Sequence, residues 1–222
     1  MNRFFTLSLF ICLLSIFPDI QILAQSLQTG ENFNGICGRP RFESYDYKQV
    51  EENTKLYNPE LYQRALQKSK SSQIQTDTVG TIRKFYALND TSGTNVFYEV
   101  NAKLMKKGNL VQIWADTNEL ANNHVTTANV NSLLNALENQ TPAGSKDPAK
   151  GIIKLLTENF GSPPDKDGDN LTDFLLLDII DKKNANAITL GYFYSYDQTD
   201  GTFSNNRDIL YIDTNPTTVN QA

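Results

Sequence analysis

Residues Asp165 to Asp173 read Asp-Lys-Asp-Gly-Asp-Asn-Leu-Thr-Asp, with carboxylates at relative positions 1, 3, 5 and 9 and glycine at position 4. Acidic side chains on every second residue of a tight loop converge on one point, and a hard cation makes such crowding favourable. Calcium takes roughly six to eight oxygens from carboxylates, backbone carbonyls and water. Asp165, Asp167 and Asp169 are expected to supply side-chain oxygens, Leu171 its carbonyl and Asp173 the closing carboxylate, with Gly168 permitting the sharp turn. The loop departs from an EF-hand: relative position 12 is Leu176, so no bidentate glutamate closes it, and relative position 6 is Asn170 rather than glycine. Asparagine tolerates left-handed backbone, so the second departure is mild. An apolar run, Phe174 to Ile180, follows at once and reads as a strand. The expected role is therefore structural, a calcium clip stiffening the connection into that strand. The alternative is a solvated acidic turn without metal, in which each carboxylate pair repels by about 1 kcal/mol.

Other chemistry is thin. His124 is the only histidine, and no HExxH, CxxC or HxH occurs in the 222 residues. Catalytic zinc wants histidine and carboxylate ligands, and a Ser-His-Asp or Cys-His site would have to use the same His124. It reads as a loop histidine. Glycine-rich phosphate loops are absent. Tyr192 to Tyr196 could form a carbohydrate or peptide platform, although a packed strand fits that composition better.

The elements that must position the acidic loop follow from periodicity. Arg3 and the apolar run Phe4 to Phe17, with small residues near Ala24, predict a secretory signal peptide over 1–24, too short for a membrane span. Its removal leaves Cys37, which cannot staple the fold and reads as a passive thiol. Residues 25–80 are polar and read as a disordered extension or a pro-segment, apart from a helix with Asn58 as N-cap and Pro59 at its first position. From Thr81 the texture changes. Strands are expected over Thr81–Leu88, Asn95–Leu104 and Leu110–Ala115 as an antiparallel meander. Two helices follow: one with the stripe Val130, Leu133, Leu134 and Leu137, the other running from an Asp147 cap to Phe160. Strands over Asp173–Ile180, Leu190–Tyr196 and Asp208–Asp213 complete an α+β domain with a mixed, largely antiparallel sheet and two packed helices. Lys and Arg number 20 against 25 Asp and Glu, a net charge of −5 without a basic stripe. That argues against nucleic acid and anionic membrane surfaces as partners, and no stable membrane anchor is expected.

Several segments, taken in order, resemble one family: Thr81 to Asp90 (TIRKFYALND), Asn109 to Asp116 (NLVQIWAD), Gly151 to Ile179, Gly191 to Gln198 (GYFYSYDQ) and Ser204 to Pro216 (SNNRDILYIDTNP). The acidic loop running into LLLDI, with LYIDT further on, resembles secreted hyicolysin-like zinc metallopeptidases of the zincin group. The resemblance implies a zincin-like N-terminal subdomain, a zinc enzyme hydrolysing peptide or protein substrates, and an extracellular or periplasmic location. It carries over the acidic loop, Asp165, Asp167, Asp169 and Asp173. By analogy with zincins it also implies that Gly191, Tyr192, Phe193 and Tyr194 lie on an edge strand that pairs with an extended substrate. In the family an HExxH helix follows. No position here matches its zinc ligands, so 81–222 reads as a partial metallopeptidase-like domain, truncated and inactive as it stands. A stand-alone secreted calcium-binding or adhesion module is the alternative.

Overall fold

A computed structural model describes residues 35–36, 46–67, 77–91, 94–181 and 188–215; the expected signal peptide and Cys37 lie outside them. The protein is α+β. Its main sheet has six strands in the order β2-β3-β4-β5-β8-β7, formed by β2 (Ile82–Asn89), β3 (Val96–Lys107), β4 (Val111–Asp116), β5 (Thr172–Leu177), β7 (Gly191–Phe193) and β8 (Ile209–Asp213). A separate parallel pair joins β1 (Gly35–Ile36) to β6 (Ile188–Thr189).

The meander forms as periodicity predicts, with β2, β3 and β4 successively antiparallel and a register shift between Leu104 and Lys106. Beyond β4 the sheet changes character. β4 pairs with β5 and β5 with β8 in parallel, and β7 lies antiparallel against β8 as the outermost strand. Parallel neighbours need crossovers. Between β4 and β5 these are α3 (Thr117–Ala121), α4 (Thr127–Glu138) and α5 (Ile152–Phe160).

α4 starts with a capping box, in which Thr126 accepts from the Asn129 backbone N–H and the Asn129 side chain accepts from the Thr126 N–H. Its stripe buries Val130, Leu133, Ala136 and Leu137. α5 begins later than its sequence suggests. Asp147 and Pro148 belong to a preceding turn, in which Lys150 N donates to the Asp147 carbonyl at 3.1 Å. Gly151, extended at φ −71° and ψ 160°, is the cap. A side chain at Gly151 would strike the backbone of Leu137 and Glu138, so glycine lets α5 start against the end of α4.

Strand alternation separates two cores. Val111, Ile113, Ala115, Phe174, Leu176 and Ile212 face α4 and α5. Phe85, Phe97, Trp114, Leu175, Tyr192 and Tyr211 face the other way, where α1 (Tyr47–Tyr57) and α2 (Pro59–Leu66) add Val50, Leu61 and Ala65. The helix expected from Asn58 is α2, with Asn58 accepting from Leu61 N at 3.1 Å. α1 has no stripe in the sequence, yet it is tied in. Buried Thr54 accepts from Phe97 N at 2.8 Å and donates to the Val50 carbonyl at 2.7 Å.

The sheet curls until β7 and β8 reach the outer edge of β2. Asn205 accepts from Tyr86 N at 2.9 Å and donates to Tyr86 O at 2.8 Å, and Leu88 N donates to the Tyr192 hydroxyl at 3.4 Å. An edge strand's bare N–H and C=O groups invite pairing; here side chains of β7 and of the loop before β8 take them.

Candidate functional site

The acidic loop hangs between α5 and β5, and its backbone takes the shape its residue types allow. Gly168 has φ 78° and Asn170 φ 58°, both left-handed. Asp165 accepts from Asn170 N at 3.0 Å and Asp169 from Leu171 N at 2.8 Å, so both carboxylates close the loop on itself. One oxygen from each of Asp165, Asp167 and Asp169 lies within 4.8 Å of the others, the only such group of metal-ligating side chains among the described residues. These three expected ligands are brought together. Leu171 stands at the loop's exit, half-buried.

The Asp173 carboxylate has other partners. It is buried at the start of β5, accepts from Trp114 Nε1 at 2.8 Å and from Arg207 Nη1 at 2.6 Å. Arg207 is the centre of a buried charge network. It also reaches Asp167 at 3.4 Å and Asp77 at 3.2 Å, while Asp77 accepts twice from Arg83, at 2.9 and 2.7 Å. The guanidinium therefore ties together the loop, the second residue of β5 and the segment leading into β2. Burial opposes its charge, but Asp173, Asp167 and Asp77 outweigh that and hold its pKa above the ordinary value.

Two more residues meet the loop that its spacing does not announce. Asp208, just before β8, accepts from Lys166 N at 2.6 Å and from Gln198 Nε2 at 2.8 Å. Gln112, paired in register with Asp173, is fully buried and donates from Nε2 to Asp169 at 2.5 Å. Crowding shows in proton affinity. Burial, reinforced by Asp169 and Asp173 against the pull of Arg207, raises the Asp167 carboxyl to about 6. Burial again, then the carboxylates of Asp165, Asp173 and Asp169, raises Asp208 to about 6. A cation would relieve this repulsion, and an all-oxygen donor set of this kind suits hard divalent metals.

These residues do not make a zinc site. His124 sits between α3 and α4, as a loop histidine, with Nδ1 3.1 Å from Glu119. Glu119 is itself held by the Thr214 hydroxyl, and neither residue belongs to the acidic group at Asp165.

Gly191, Tyr192 and Phe193 form β7 at the edge of the sheet; Tyr194 leaves it toward a single turn of 3₁₀ helix, Ser195–Gln198, which replaces the expected strand end. Tyr192 and Tyr194 are buried, and Tyr192 stacks on Tyr211 with ring centroids 4.3 Å apart. A peptide beside β7 would thus meet its backbone and the half-buried Phe193 rather than an exposed tyrosine platform. Among the described residues no helix is long and apolar enough to cross a membrane.

No protein-family profile matches the chain. It is 28% identical over 155 residues to the neutral metalloprotease ShpI of Staphylococcus hyicus. That match covers 69% of this chain and 30% of the relative, so the chain spans less than a third of the protein it resembles. At this level the chain is metallopeptidase-like.

Proposed function

We propose that these residues form the N-terminal scaffold of a secreted, hyicolysin-like zinc metallopeptidase, with the Asp165–Asp173 loop as a structural calcium clip. The observation that carries the enzyme reading is the similarity to the metalloprotease ShpI over 155 residues. The fold supports it, since an antiparallel β7 at the edge of a mixed sheet offers a backbone edge along which an extended peptide could lie. Zinc and its HExxH ligands belong to a segment that the 222 residues do not contain. Peptide hydrolysis is therefore expected only of a polypeptide that joins such a helix to this scaffold.

Residues 1–24 are the proposed signal peptide, 25–80 an extension and 81–222 the metallopeptidase-like portion, placing the protein outside the cytoplasm. Buried Val50, Thr54, Leu61 and Ala65 favour an extension that stays with the domain over a pro-segment that is removed. The three-carboxylate cluster also favours a second reading, a secreted calcium-binding or adhesion module. One experiment separates them. The product of the natural gene is purified and tested on a denatured protein substrate, before and after treatment with a zinc-selective chelator. Hydrolysis lost with the zinc and regained on its return supports the peptidase reading. A zinc-free, calcium-binding product without hydrolysis supports the module.

A further inference from the structure

We propose that Gln112 is a ligand of the cation site, its amide oxygen completing from β4 the oxygen set that Asp165, Asp167 and Asp169 begin. The inference rests on the loop's being a cation site, and it adds a residue 57 positions from Asp169 in the chain. Gln112 is fully buried, and its Oε1 is without a hydrogen-bond partner. A buried amide acceptor left unmet is costly, and carboxylates cannot meet it because they offer no donor. The unpartnered oxygen and the three crowded carboxylates thus ask for the same thing, a positive centre, from two different elements.

The amide already lies against the cluster, with Nε2 2.5 Å from Asp169 Oδ2. As the side chain lies, nitrogen faces the carboxylate, because two oxygens there would repel. A cation on Asp169 reverses that preference. The terminal torsion of glutamine is broad and roughly two-fold, so a half-turn presents Oε1 to the metal without moving the buried stem. Strand alternation fixes the stem: Gln112 shares its face of β4 with Trp114, whose Nε1 holds Asp173.

Calcium titration by calorimetry tests this on the wild-type protein, Gln112→Leu and Gln112→Glu, with folding monitored by near-ultraviolet circular dichroism. Gln112→Leu is expected to weaken calcium by about tenfold or more, and Gln112→Glu to bind at least as tightly as wild type, since it keeps an oxygen and adds charge. Terbium placed in the site should carry an additional coordinated water in Gln112→Leu, read from luminescence lifetimes in H2O and D2O. Wild-type affinity and hydration in Gln112→Leu would overturn the proposal. So would weaker binding by Gln112→Glu, which would mean that the N–H donated to Asp169 is what matters. Should Gln112→Leu not fold, Gln112→Met takes its place with the same outcomes. A wild-type protein that binds no calcium refutes the loop reading itself, a result distinct from unchanged binding in the variants.

Discussion

Arg207 Nη1 lies 2.6 Å from Asp173 Oδ2 with both residues nearly sealed from water, the arginine 5% exposed and the aspartate 2%. A pair buried this deeply adds little net stability over an apolar substitute, but removing one partner strands the other charge. Arg207→Met is expected to lower the unfolding free energy by about 3–5 kcal/mol, measured by urea denaturation. Adding Asp173→Asn should return much of that loss, because Trp114 keeps its acceptor. A loss under about 1 kcal/mol in the single variant would mean that the network is not closed as described.

The loop also sets a pH dependence in metal-free buffer. Asp167 and Asp208 each titrate near 6 in the fold, against 3.8 for a free aspartate. The folded state holds these protons more tightly, so the stability they contribute is complete below pH 3.8 and drains away as pH rises to about 6. Each group accounts for up to about 3 kcal/mol. Unfolding free energies in chelator should therefore fall across that window, and Asp208→Asn should flatten the slope. Identical slopes in the two proteins would refute the assignment.

Much of the fold is legible locally, because β2, β3, β4 and α4 carry their own periodicity and caps. α1 is not, since only Val50 and Thr54 of its eleven residues are buried; its binding to the sheet is a tertiary fact. The parallel pairing of β4, β5 and β8 joins segments far apart in sequence, and no local signal encodes it. The same holds at the site. Spacing alone gathers Asp165, Asp167 and Asp169, whereas Gln112, Arg207 and Asp208 reach the loop across 57, 40 and 42 positions of chain. Two signals were present: one polar residue inside the buried strand Val111–Asp116, and an Arg-Asp pair at the mouth of β8.

α1 supplies a direct check that it belongs to the fold. Thr54→Val keeps the shape but removes the acceptor for Phe97 N. Leaving that buried N–H unmet should cost about 1–3 kcal/mol, while Thr54→Ser should stay close to wild type. Equal stability of all three proteins would place α1 outside the cooperative unit.

The loop's role as a metal clip is tested most directly by the melting temperature of the protein in calcium and in chelator, beside a variant with Asp165, Asp167 and Asp169 all changed to asparagine. Calcium at about a hundredfold over its dissociation constant should add about 2.7 kcal/mol to the wild type. That is a rise of several degrees, absent from the variant. A wild-type protein that melts at the same temperature in both buffers would contradict the account.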